Sequence, residues 1–176
     1  NSDERKKVSF NADANFFNGF GNEVKSRNIS AGIGVQAADA LRFGIYPGYN
    51  YSFRKQDQYV QQVSFGNDVR TIVSEVAQRS FSLTARLTYN LTPNLTIQYY
   101  GQPFIFRAQY ANYGIVTDPL AQDYEARFHR FTGQEISETD GEFSVDENGD
   151  GATDYSFSKP DFNFIQFRSN LVVRWE

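Results

Sequence analysis

The sequence contains no cysteine and no long hydrophobic run. The lack of cysteine excludes disulfide bonds, thiolate chemistry and cysteine-bound zinc. No stretch approaches the roughly 18 apolar residues of a membrane-spanning helix, and the mean hydropathy is −0.56. The net charge is −4, and lysine and arginine are interspersed with aspartate and glutamate. Because no basic stripe is present, we expect no nucleic-acid partner.

Aromatic residues are abundant although the total apolar content is low. Hydrophobic residues make up 40% of the chain and aromatic residues 16%. A soluble β-sandwich could have this composition. A membrane β-barrel explains it as well, because its strands need apolar side chains on one face only and its aromatic residues concentrate at the two lipid–water interfaces.

Apolar and polar residues alternate through most of the chain. From Ser80 to Leu91, every second residue is apolar and the residues between are polar, which predicts a strand with one apolar and one wet face. Thr92-Pro93-Asn94 then favours a tight turn. Including this strand, we predict about six long strands, which begin near Val8, Ile29, Leu41, Ser80, Leu95 and Ile165.

The connections between these strands alternate in length. Residues 38–40 and 92–94 are short links, whereas residues 18–23, about 56–68 and about 112–160 are longer. Outer-membrane barrels have short periplasmic turns and long extracellular loops. We therefore predict an all-β fold, an antiparallel up-and-down transmembrane β-barrel. Residues 1–176 would form one partial barrel region with a long extracellular loop at about 112–160, which we expect to contain a hairpin around Tyr124–Phe131 and Glu142–Val145.

Six strands are too few to close such a barrel, since known single-chain bacterial barrels start at eight. We expect the remaining strands upstream, downstream or on another chain. The first seven residues lack the apolar core of a signal peptide. Because an outer-membrane protein must be exported, this interpretation requires the sequence to be a processed or excised piece.

Two segments carry a family resemblance: YNLTPNLTIQYYGQPF at residues 89–104 and FRSNLVVRWE at residues 167–176. They resemble the C-terminal region of a Bacteroidetes-type family of unknown function, which usually follows a carbohydrate-binding-family-nine-like domain. The resemblance implies an outer-membrane barrel of a Gram-negative bacterium, with further strands after Trp175-Glu176 and no established catalytic residues. Any sugar-related function would lie in the absent carbohydrate-binding domain.

Residues 146–154 read DENGDGATD and resemble the start of an EF-hand calcium loop. Oxygen-bearing residues stand at positions one, three, five and nine, with Gly151 at position six for the sharp turn. Position twelve is Phe157 instead of the bidentate glutamate, so the motif is incomplete, and a solvated acidic turn is the alternative. As calcium ligands we predict Asp146, Asn148, Asp150, Asp154 and the carbonyl group of Ala152.

Five arginines fall on the predicted polar faces of the strands and would line the lumen: Arg42, Arg54, Arg86, Arg168 and Arg174. Such a lining could favour anions. We favour a structural role, in which the arginines pair with carboxylates such as Asp13 or with acids on strands that this sequence does not contain. Tyr46 and Tyr100 also face inward and would narrow the interior.

No residue is predicted to be catalytic. His129 is the only histidine and has no nucleophile or metal partner at a meaningful spacing. Glu135, Glu138, Asp140 and Glu142 form an acidic cluster, but catalytic carboxylate pairs need a fixed separation that a polar loop does not supply. We therefore predict that the protein is not an enzyme.

The function predicted from sequence is that of an outer-membrane barrel segment with a structural, anchoring or transport-associated role. Its partners would be the lipid bilayer and the remaining strands or other outer-membrane subunits. The alternatives are a soluble lipocalin-like barrel and a surface hydrolase with its site in the loops. Two sheets packed over a shared apolar centre would contradict the membrane interpretation.

Overall fold

The computed structural model describes residues 7–176, apart from the side chains of residues 22, 56 and 57. Residues 1–6, which belong to the segment considered for a signal peptide, lie outside the described residues. The strands are β1 (Val8–Asn18), β2 (Val24–Ala38), β3 (Leu41–Phe65), β4 (Asp68–Thr92), β5 (Leu95–Val116), β6 (Phe128–Arg130), β7 (Ile136–Thr139), β8 (Glu142–Val145), β9 (Tyr155–Ser158) and β10 (Phe162–Trp175). Single 3-10 turns form at Phe20–Asn22 and Glu125–Arg127. In the described part of the chain, no helix has the length and hydrophobicity needed to span a bilayer.

Six long antiparallel strands form one sheet in the order β1-β2-β3-β4-β5-β10, and the short β6 also pairs with β5. The prediction of an all-β antiparallel chain with about six long strands is confirmed. Within residues 7–176 no pairing joins β1 to β10, so the sheet is open and is not a closed barrel.

The register of the sheet separates an apolar face from a polar face. One row of directly paired residues on the apolar face runs Val8–Val35–Phe43–Leu87–Tyr99–Leu171, and another runs Ala14–Ile29–Tyr49–Phe81–Ile105–Ile165. A row on the polar face runs Ser9–Gly34–Gly44–Arg86–Tyr100–Asn170. The alternation seen in the sequence is therefore kept in phase across all six strands.

The apolar face is not covered by a second layer of the described chain. Phe10 is 65% exposed, Ile165 71%, Phe167 62% and Trp175 83%. The whole chain exposes 11950 Å², whereas a compact protein of 20.1 kDa exposes about 8,700 Å². The sheet thus leaves bare the large apolar surface that a soluble fold buries.

A buried core forms elsewhere, where the β3–β4 hairpin extends beyond the other strands. The three-stranded sheet β7-β8-β9 packs against this extension and against the end of β5, and we call these parts, together with the segment between β6 and β7, the cap. Its core consists of Ile72, Tyr113, Ile115, Phe143, Val145, Tyr155 and Phe157. The cap is therefore stabilised as soluble proteins are, by the burial of apolar side chains away from water.

Two segments predicted as loops are structured. The link predicted at about residues 56–68 is wrong, because β3 continues to Phe65 and β4 begins at Asp68, with a tight turn at Gly66, whose φ is 61°. The segment predicted as a long loop contains the end of β5 and the strands β6 to β9. The expected hairpin also differs, since β6 pairs with β5, whereas β8 pairs with β7 and β9.

Candidate functional site

The polar face carries an open depression of about 360 Å³, lined in part by Arg42, Tyr46 and Arg86. Register brings the two arginines close together, because Arg42 pairs with Thr88 while Arg86 pairs with Gly44. Arg42 donates a hydrogen bond to Gln36 Oε1 at 3.2 Å. The Arg86 guanidinium carbon lies 5.7 Å from the centre of the Tyr100 ring, a cation–π distance.

Tyr46 lies across glycines on the floor of this depression. A Cβ atom at Gly44 would lie 2.6 Å from the Tyr46 hydroxyl oxygen, and one at Gly32 would lie 2.5 Å from its ring carbon Cδ1. No side chain fits at these distances, so the two glycines allow the ring to lie flat against the backbone. Tyr46 thus lies on the polar face, as predicted, and its narrowing of a barrel interior stays a prediction.

The other three predicted lumen arginines are dispersed over the same sheet. Arg54 pairs with Val76 at the cap end, Arg168 pairs with Gln102, and Arg174 pairs with Thr96 near the short-turn end. The predicted ion pair with Asp13 is not observed: among the side chains that the structure describes, no carboxylate lies within ion-pair distance of any of the five arginines. Within the described residues these five arginines therefore have no ion-pair partner, and pairing with acids on strands outside this sequence stays a prediction.

The predicted calcium ligands lie together in the loop between β8 and β9. Asp146 accepts backbone hydrogen bonds from Gly149 (2.7 Å), Asp150 (3.2 Å) and Gly151 (2.8 Å). Gly151 has a φ of 87°, which is the sharp turn expected at position six of the motif. The Asp146 carboxylate therefore holds residues 149–151 in a turn around it.

Asn148 and Asp154 close the other half of this loop. Asp154 accepts hydrogen bonds from the backbone nitrogen of Glu147 at 2.8 Å and from the Asn148 side-chain amide at 3.1 Å. The Asp150 carboxylate accepts the Ala152 N–H at 2.8 Å. In residues 7–176, no three histidine or acidic side chains converge closely enough to hold a metal ion. Calcium binding at this loop stays a prediction.

A polar contact that the sequence did not reveal attaches this loop to the long hairpin. Arg70 Nε of β4 lies 3.0 Å from Glu147 Oε2, and the Tyr155 hydroxyl donates to the same oxygen at 2.8 Å. The hydrogen bond and the charge of Glu147 raise the pKa of Arg70, whereas burial raises the pKa of Tyr155 first and its bond to Glu147 adds to this. Arg70 and Glu147 are 77 residues apart in the sequence, so no local motif connects these two residues.

Two of the residues considered for catalysis, His129 and Glu135, contact each other, whereas Glu138 and Glu142 have other partners. His129 Nε2 lies 2.7 Å from Glu135 Oε1, and Lys159 Nζ lies 2.8 Å from Glu138 Oε1. Glu142 accepts a hydrogen bond from Ser156 at 2.6 Å. The acidic cluster therefore contributes to local turns and strand contacts of the cap.

Comparison of the chain with protein-family models, with curated proteins and with solved structures found no match.

Proposed function

We propose that the chain is a segment of an outer-membrane β-barrel, with the apolar face of the sheet toward lipid and the polar face toward the barrel interior. In this arrangement the cap stands in water, and the role is structural, anchoring or transport-associated. One observation carries the proposal: the chain builds a buried core in the cap and yet leaves the apolar face of its long sheet bare.

The height of the apolar band supports this proposal. On β4 the band extends from Phe81 to Leu91, which is about 33 Å along a strand at roughly 3.3 Å per residue. A strand tilt of about 40° reduces this to a height of about 25 Å, which is the thickness of the apolar band of outer-membrane barrels. Above Phe81 the hairpin enters the cap, where protein covers Ile72, Val73 and Val76 of the same strand.

The edges of the sheet support the need for additional strands. β1 and β10 are long edge strands without proline, and Phe10, Phe167 and Val173 lie exposed on them. An exposed, long and hydrophobic edge is a template for pairing with another strand. We infer that further strands, from the same polypeptide or from other subunits, complete the barrel.

Flotation with lipid vesicles tests this proposal. The chain is diluted from urea into phosphatidylcholine vesicles, which are separated on a density gradient. Trp175, the only tryptophan, reports on insertion because its side chain lies exposed on the apolar face. We expect copies of the chain to pair through their exposed edge strands, to float with a blue-shifted emission and to keep the cap accessible to protease. A monomer that stays soluble without detergent and does not float would contradict the proposal and favour the lipocalin-like alternative.

A further inference from the structure

Basic side chains border the apolar face at the end nearest the cap. The row directly beyond Ile29, Phe81 and Ile105 runs Phe16–Arg27–Tyr51–Arg79–Arg107–Asn163. Lys25 stands in the next row on the same face, where it pairs with Phe53. We call Lys25, Arg27, Arg79 and Arg107 the basic rim.

The basic rim contains two arginines placed side by side. Arg79 and Arg107 are direct cross-strand partners on β4 and β5, and both are exposed. Like charges directly opposite each other destabilise a sheet. Within the described chain, no carboxylate lies within ion-pair distance of any member of the rim. An anion bound between the two guanidinium groups would relieve this repulsion.

Aromatic rings lie against three of the four basic groups of the rim. The Arg79 guanidinium lies 5.4 Å from the Tyr51 ring centre, Arg27 lies 5.8 Å from that of Phe16, and Lys25 Nζ lies 5.6 Å from that of Phe53. From β2 to β5 the rim spans three strand spacings, about 14 Å. Arginine and aromatic side chains suit a boundary between an apolar and a polar medium, because their apolar parts can face one side and their polar groups the other.

Among residues 7–176, the apolar-face positions at the opposite border carry no such cluster of basic side chains. Its outermost positions are Tyr89, Leu91 and Trp175, and Arg174 points to the polar face. Acids also stand at this end of the sheet: Glu23 lies two residues before Lys25, and the Asp161 carboxylate accepts the Tyr110 N–H at 2.8 Å and lies 4.0 Å from Lys159 Nζ. The two borders of the apolar face therefore differ in charge.

We propose that the basic rim binds the phosphate groups of lipid headgroups in the leaflet that adjoins the cap. This inference rests on the proposed function, since it requires the apolar face to lie in a bilayer. The geometry supports it through charge complementarity: guanidinium groups bind phosphate oxygens through paired hydrogen bonds, and the rim lies where headgroups meet the hydrocarbon band.

The test compares two vesicle compositions and two double variants. The chain is inserted into vesicles of phosphatidylcholine, with or without an equal amount of phosphatidylglycerol, and lipid retained after detergent extraction is measured by native mass spectrometry. The variant Arg79→Gln with Arg107→Gln removes two charges from the rim. The control, Arg168→Gln with Arg174→Gln, removes two charges from the polar face.

We expect the wild-type chain and the control variant to retain phosphatidylglycerol in preference to phosphatidylcholine. The rim variant should bind phosphatidylglycerol about 30-fold more weakly, since each basic residue near an anionic surface contributes a factor of about five. Added salt should weaken binding by the wild-type chain as well, a result that needs no variant.

Three outcomes distinguish failure of the lipid site from failure of the proposed function. The lipid site is overturned, and the membrane proposal stays intact, if all forms insert but retain both lipids equally. The same holds if the control variant loses as much phosphatidylglycerol binding as the rim variant. If the wild-type chain does not insert even into phosphatidylcholine vesicles, the proposed function fails and the lipid site fails with it.

Discussion

An arginine substitution at the middle of the apolar face gives a quantitative test of the membrane proposal. Ile33 stands midway between Ile29 and Ala37 on β2 and is 45% exposed. Arginine facing lipid at the bilayer midplane costs about 2–4 kcal/mol. We therefore expect Ile33→Arg to lower the folding equilibrium constant in vesicles about 30- to 900-fold, at about 1.36 kcal/mol per tenfold change.

Ser30→Arg is the matched control, because Ser30 lies on the polar face of the same strand, opposite Asp13. The free energy of folding into phosphatidylcholine vesicles is measured by urea titration, with Trp175 emission as the signal. We expect Ser30→Arg to change it by less than about 0.5 kcal/mol, as for an ordinary surface substitution. Ile29→Arg, at the border of the band, should cost only about 0–1 kcal/mol. Equal effects of Ile33→Arg and Ser30→Arg would refute the reasoning.

Three further predictions concern the cap. Tyr155→Phe should destabilise the cap by about 1.5–3 kcal/mol in thermal unfolding, because a hydrogen bond to a charged acceptor is lost. Tyr113→Phe should change the stability of the cap by less than about 1 kcal/mol, because the Tyr113 hydroxyl has no hydrogen-bond partner in the described chain. Equal effects of the two substitutions would argue against the assigned contacts. Calorimetric titration with calcium should release heat with the wild-type chain and none with Asp150→Ala, at an affinity of about 10⁻⁴–10⁻³ M; flat traces for both would remove the site. The Thr132 backbone N–H lowers the pKa of Glu135 from its ordinary 4.5. The ionised Glu135 therefore stabilises the fold at pH values above 4.5, and this stabilisation is lost as the pH falls through the lower pKa of the folded state. At that pH, amide exchange at Thr132 should accelerate relative to its intrinsic rate in the wild-type chain but not in Glu135→Gln.

The long strands of the sheet could be predicted because their alternation is uninterrupted. From Ser80 to Leu91 the period of two assigns each side chain to one face of the strand, and strand pairing keeps the apolar side chains of neighbouring strands on the same face. The far half of β3 was missed for a physical reason. Register shifts between Arg54 and Gln58 and between Tyr59 and Gln61 break the alternation, so a paired strand looked like a loop.

The cap could not be predicted because its core joins distant parts of the chain. Phe143 and Val145 are two residues apart, as are Tyr155 and Phe157, which was a local sign of two short strands. Nothing in the local pattern places them against Ile72. The basic rim was also missed, although Arg27, Arg79 and Arg107 each stand two residues from an apolar-face residue and in phase with it.

Spin labelling along β4 tests the central claim most directly. The sequence has no cysteine, so single cysteines can be introduced and labelled at successive positions in vesicle-inserted protein. We predict that labels at Leu83, Ala85 and Leu87 collide mainly with oxygen dissolved in lipid, whereas labels at Thr84 and Arg86 collide mainly with a water-soluble nickel complex. If the first three positions are equally open to the nickel complex, or are shielded from both reagents by a second protein layer, the apolar face does not contact lipid.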